Sequence, residues 1–165
     1  MTLKEKIRDD MKAAFKAGDQ VARSTLSMLL SVIQNRELDK RAKLMKAGSA
    51  SEADVAAKSE LTDAEVIDAL SSEVKKRRES ITTYEAGGRP ELAEGEKKEA
   101  DVLARYLPEQ MSEAEVTKLI ADAIAQTGAT SGADMGKVMG KLAPGIKGRF
   151  DGARANALVR EALGA

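Results

Sequence analysis

The chain has 165 residues, 42% of them hydrophobic, yet only two Tyr, two Phe and no Trp, so its core must be built from Leu, Ile, Val, Met and Ala, which mostly favour helix. It has no cysteine and no histidine, which excludes disulfides, thiolate nucleophiles, imidazole acid–base chemistry and any metal site ligated by either residue. Lys+Arg and Asp+Glu both number 27, so no global basic field is offered to nucleic acid and the local distribution of charge carries the information.

The N-terminal stretch MTLKEKIRDDMKAAFKAG is charged throughout and has no apolar run of signal-peptide or membrane-spanning length. A soluble, cytoplasmic, non-membrane protein is expected, and the lack of cysteine fits that compartment. Thr2 and Glu5 have capping-box spacing, and Leu3, Ile7, Met11 and Phe15 then recur at four-residue steps, which predicts a helix ended by Gly18. A second helix begins near Asp19 and runs through Val21, Leu26, Leu29, Leu30 and Ile33, with polarity rising after Gln34. Residues 1–48 carry 11 basic against 6 acidic side chains and residues 49–73 carry 1 against 7. That shift marks a polar connection from Lys46 to Glu60, whose KAGSASEAD part reads as a loop or a frayed helix end.

Thr62 and Glu65 cap a third helix, along which Ile67, Leu70, Val74, Ile81 and Tyr84 share one side until Gly87-Gly88-Arg89-Pro90 breaks it. The KKRR run at 75–78 lies inside it. Arg77 is three residues after Val74 and four before Ile81, which puts its stem on the apolar stripe and its head in need of an acid; Glu96 and Glu99 on the next helix are the expected partners. Contact with nucleic acid is the rival reading of that run. A fourth helix, about Glu91 to Tyr106, stops at Leu107-Pro108, and Ser112 with Glu115 caps a new start. The expected architecture is all-α: a helical N-terminal domain, residues 1–109, followed by a small three-helix tail, residues 110–165. The tail helices are predicted at about 113–126, at Asp134 to Leu142 and at about Gly152 to Leu163.

The tail holds the least ordinary segment, ADMGKVMGKLAPGIKGRFDG. From Asp134 onward the chain has 6 basic against 3 acidic side chains. With Asp134 as N-cap, Met135, Val138, Met139 and Leu142 project to one side of a helix, and Lys137 and Lys141 project roughly opposite. Gly136 and Gly140 form a bare strip between those faces. Interior glycine costs about 1 kcal/mol relative to alanine, so the strip implies close approach, either of a neighbouring helix or of a nucleic-acid backbone. The following PGIKGRFDG reads as a loop presenting Lys147 and Arg149 around Gly148, with Asp151 capping the last helix. There is no GxxxxGK[ST] sequence, so nucleotide hydrolysis has no support.

The segments Arg105–Ser112, Ala133–Gly140 and Lys147–Gly152 resemble those of the YqeY-like proteins, and the likeness runs along the whole chain. Their C-terminal region is similar to the tail of the B subunit of the GatCAB tRNA-dependent amidotransferase, where the tail contacts tRNA. The chain departs from the family pattern at Phe150, where many members have a small residue, and in the length of the stretch near 46–60. The resemblance implies a tRNA-binding or tRNA-directed accessory protein; spacing and local charge, independently of it, make Lys137, Lys141, Lys147, Arg149 and Arg154 the expected phosphate contacts, with Gly136, Gly140 and Gly148 permitting close approach. It implies no catalysis, since the amidase and kinase parts of the amidotransferase lie outside the shared region. The residues agree: without His or Cys no spacing points to a catalytic, metal or cofactor site. An adaptor that docks on an aminoacyl-tRNA-related or other translation enzyme is the alternative, and an amidotransferase component acting in trans is a weaker one.

Overall fold

The computed structural model describes residues 1–48 and 51–164, which form eight α-helices and one short 3₁₀ turn with no strand among them. They belong to two compact units, Met1–Tyr106 and Leu107–Ala165. No helix among the described residues is long and apolar enough to cross a membrane.

The first unit contains α1 (Leu3–Ala17), α2 (Gln20–Ala47), α3 (Glu52–Ser59), α4 (Asp63–Ala86) and α5 (Pro90–Ala104). The capping boxes at Thr2/Glu5 and Thr62/Glu65 both form, each hydroxyl accepting from the backbone N–H three residues on while the glutamate accepts from the cap N–H. Helix α1 ends at Gly18 in the left-handed conformation, φ 73°, where the glycine closes the turn. Ile7, Leu26, Leu29, Ile33, Val66, Leu70 and Leu103 are the largest fully buried apolar side chains of this unit. Helix α2 is its centre, packing on α1, α3, α4 and α5.

Two expectations need correction here. The connection from Lys46 to Glu60, expected as a loop or a frayed helix end, is largely helical: α2 ends at Ala47, in keeping with the second alternative, but α3 occupies Glu52–Ser59, while Ser49 and Ala50 lie outside the described residues. Helix α3 forms because Ser51 accepts from the Asp54 N–H, two acids occupy its first turn, and Val55 and Ser59, four apart, are buried. Arg77 is buried as expected, but its partners are Glu73, one turn back on the same helix at 2.9 Å, and Glu99 at 3.1 Å, without Glu96. Glu73 also takes Lys76 at 2.7 Å. The KKRR run is therefore largely committed within the chain, since Lys75 is engaged as well.

The unit is fastened across its whole length by Tyr106, whose hydroxyl donates to Asp10 at 2.8 Å. Lys6 donates to the same carboxylate at 2.7 Å and sits 5.3 Å from the centre of the Tyr106 ring. Partial burial and the Asp10 carboxylate push the phenol's pKa upward, and the Lys6 and Tyr106 donors hold Asp10 below the usual carboxylate value.

The second unit contains α6 (Glu113–Thr127), a 3₁₀ turn (Gly132–Asp134), α7 (Met135–Ile146) and α8 (Gly152–Ala162). Val116, Ile120, Val138, Leu142, Ile146 and Val159 make its core, with Met135, Met139 and Phe150 packed on the outside. A separate core of this kind is what a small helical unit needs to hold three short helices together.

Candidate nucleic-acid interface

Helix α7 is organised as its periodicity predicts, with Val138, Leu142 and Ile146 buried and Lys137, Lys141, Gly136 and Gly140 exposed. Its ends differ from the expectation. Asp134 closes the 3₁₀ turn and holds the N-cap position of α7 as expected, but its side chain makes no capping bond: its carboxylate accepts from the Thr130 N–H and from Lys137 Nζ, each at 3.1 Å. Those two bonds lower its pKa. The helix also continues past Leu142, so Pro144, Gly145 and Ile146 form its last turn rather than a loop.

Proline there lacks the N–H that would bond to the Gly140 carbonyl. Gly140 is exposed and Pro144 lies in the last turn of the helix, where a single missing bond disrupts least. A Cβ added at Gly136 or at Gly140 would meet nothing within 4 Å. Close packing of a neighbouring helix is therefore not what these glycines serve among the described residues. What they leave is a strip of accessible backbone beside two lysines.

The remaining sequence-predicted residues divide by what they touch. Lys147 closes α7 six residues after Lys141, roughly 240° further round the axis, so helical geometry alone does not bring it onto the Lys137–Lys141 face. It also has an interaction of its own within the chain. Gly148 adopts φ 72°, a left-handed turn that suits glycine. The turn brings the loop against residues 109–111: Gln110 donates to the Gly148 carbonyl at 2.8 Å, the Met111 N–H donates to the Arg149 carbonyl at 2.8 Å, and Arg149 Nε donates to the Glu109 carbonyl at 3.0 Å. Arg149 is thus half-buried and held in place.

Arg154 is set apart by its acids. Its guanidinium clamps Glu113 through Nη2 at 2.6 Å and Nε at 3.1 Å, and reaches Glu161 at 3.4 Å. That pairing lowers the Glu113 pKa and raises that of Arg154. Asp151 caps α8 as expected, accepting from the Arg154 N–H at 2.7 Å. Lys137 shares Asp134, and Lys141 has no charged partner among the described residues. Two structural features had no reading in the sequence. The Glu113–Arg154 clamp joins residues 41 apart, and the docking of the loop on 109–111 relies on backbone carbonyls.

A family model described as Yqey-like protein matches residues 4–163. Among curated proteins, the chain is similar to "Altered inheritance of mitochondria protein 41, mitochondrial" of Candida glabrata, 30% identical over 103 residues, which are 62% of this chain and 48% of that protein. It is similar also to the protein of the same name from Lachancea thermotolerans, 25% identical over 122 residues, which are 73% of this chain and 57% of that protein. The matched region spans about half the length of these relatives.

Proposed function

The chain belongs to the Yqey-like protein family, and from that premise we propose that it is a non-catalytic accessory protein that binds tRNA through its second unit. The observation that carries this reading is the exposed strip on α7, where Gly136 and Gly140 leave open space above the backbone next to Lys137 and Lys141. Interior glycines with nothing packed on them weaken a helix without structural return, and approach of a phosphate backbone gives them a use. Lys147 and Arg149 extend the contact from the loop, with Gly148 setting the turn. Arg154 contributes least, because Glu113 and Glu161 already neutralise it. No cofactor is invoked, and the protein forms no amide bond from glutamine, ATP and misacylated tRNA by itself. We place its work in the cytoplasm; the yeast relatives carry "mitochondrial" in their names.

Filter binding of tRNA at several salt concentrations tests the reading. Contact of Lys137, Lys141, Lys147 and Arg149 with duplex phosphates gives a slope of log affinity against log salt of about −3 to −4, and each Lys→Ala change reduces it by about one. Gly140→Val lowers affinity by steric exclusion and leaves the slope unchanged. A variant with alanine at all four positions that remains folded and binds tRNA like the parent overturns the proposal. A second reading, an adaptor that docks on a translation-related enzyme, is favoured by one feature, the open groove between α6 and α8 lined by Ile120, Ala121, Ile124 and Leu158. It takes over if the parent shows no binding to tRNA at low salt.

A further inference from the structure

Helix α2 is 28 residues long, about 42 Å, and buries Ala22, Thr25, Leu26, Leu29 and Ile33 against its own unit. A second periodicity runs along its solvent side. From Val21 to Met45, eight exposed residues follow one another at alternating steps of three and four, the spacing of a coiled-coil seam. Four of the seven exposed large hydrophobic side chains among the described residues lie on it: Val21, Met28, Leu38 and Met45, each 39–63% exposed. The strict heptad is what distinguishes the stripe from scattered surface apolar residues, which need no partner.

We propose that this seam is the contact between two copies of the chain, with the α2 helices antiparallel about a two-fold axis at Ile33. The seam is its own complement in that register. Val21 meets Met45, Met28 meets Leu38, Ser24 meets Ala42 and Ser31 meets Asn35 of the second copy, so apolar layers face apolar layers and small or polar ones face each other. An isologous interface requires this property, and a stripe built for an unrelated partner does not. The serines are compatible with it, because Ser24 donates to the Val21 carbonyl and Ser31 to the Ser27 carbonyl, leaving the Ser31 oxygen to accept from Asn35.

Charge selects the orientation. A parallel in-register pair sets Arg41 against Lys46 of the second copy on both flanks, a like-charge contact, whereas the antiparallel pair sets Arg41 by the exposed Ser27 of the second copy. The strip is about 36 Å by 10 Å, so two copies bury roughly 700 Å², below the ~1,200 Å² of a stable standard interface. The dimer is therefore weak and forms by mass action.

Sedimentation equilibrium of the whole chain from ~10 μM to ~1 mM, a range set by that small area, tests this. The expected mass rises from 17.6 kDa toward twice that value. Met28→Glu and Leu38→Glu, both at positions more than half exposed, are expected to keep their helix content and Tm and to stay monomeric throughout. A parent that stays at 17.6 kDa, or an association that both variants retain, overturns the proposal. The chain has no cysteine, so thiols report on register directly. Oxidising a mixture of Met28→Cys and Leu38→Cys proteins is expected to give the mixed disulfide, which mass spectrometry separates from either homodimer. Homodimers alone, or no cross-link, overturn the antiparallel register.

Discussion

Glu65 joins two tasks that the sequence presents as one. Its carboxylate closes the α4 capping box, accepting from the Thr62 N–H and hydroxyl, and it also receives Lys40 Nζ at 2.9 Å from α2. The Lys40 bond and then the Thr62 bond hold its pKa at about 2, below an ordinary 4.5. A depressed carboxylate stabilises the fold fully above the unfolded value, and that contribution is lost as pH falls from 4.5 toward 2. Thermal unfolding of Glu65→Gln is therefore expected to depend less on pH than the parent in that window, while its Tm at neutral pH is lower. Burial sets a different rule for Glu73, whose side chain is 7% exposed beside Arg77 at 9%. Glu73→Ala leaves the guanidinium with Glu99 alone and is expected to cost about 3–5 kcal/mol in urea unfolding. The exposed Lys12–Asp9 pair gives the contrast, since Lys12→Ala is expected to cost less than about 1 kcal/mol.

Two glycines of the second unit are expected to respond to alanine with opposite signs. Gly148→Ala places a Cβ at φ 72°, which costs about 1–2 kcal/mol and loosens the bonds that hold the loop to Gln110 and Met111. Gly136→Ala adds its methyl into open space on a helix and is expected to raise stability by up to about 1 kcal/mol, read as a higher Tm. A gain in Tm together with a loss of tRNA binding would tie that glycine to contact. The same two elements show where the sequence was readable. Apolar steps of three and four gave the buried face of α7, and the boxes at Thr2, Thr62 and Ser112 gave three helix starts, because a cap is a local device. Helix α3 is hard to see in the sequence although Ser51 and Asp54 carry a cap signal, since the small and polar composition around them outweighs it. Pro144 reads as the start of a loop after Leu142, yet inside α7 it costs only one carbonyl bond at an exposed glycine. The acids on Arg154 were out of reach, because nothing local relates residues 113 and 154.

The whole chain balances its charge, so the two proposed surfaces differ in how salt acts on them. Raising salt from 50 to 200 mM weakens phosphate contacts, while an apolar seam with no ion pair in its layers changes little. Parallel titrations of tRNA binding and self-association are expected to diverge accordingly. The Asp10–Tyr106 bond adds a dimension of time. Its partners are 96 residues apart, and at a synthesis rate of about 5–20 residues per second roughly 5–20 s separate their emergence from the ribosome. Over that interval α1 can pair with α2, which follows it directly, but it stays unfastened at the far side. The first unit thus closes its ring of contacts only as the chain leaves it for Leu107, and a nascent chain halted before Tyr106 would hold its first helix by one neighbour less.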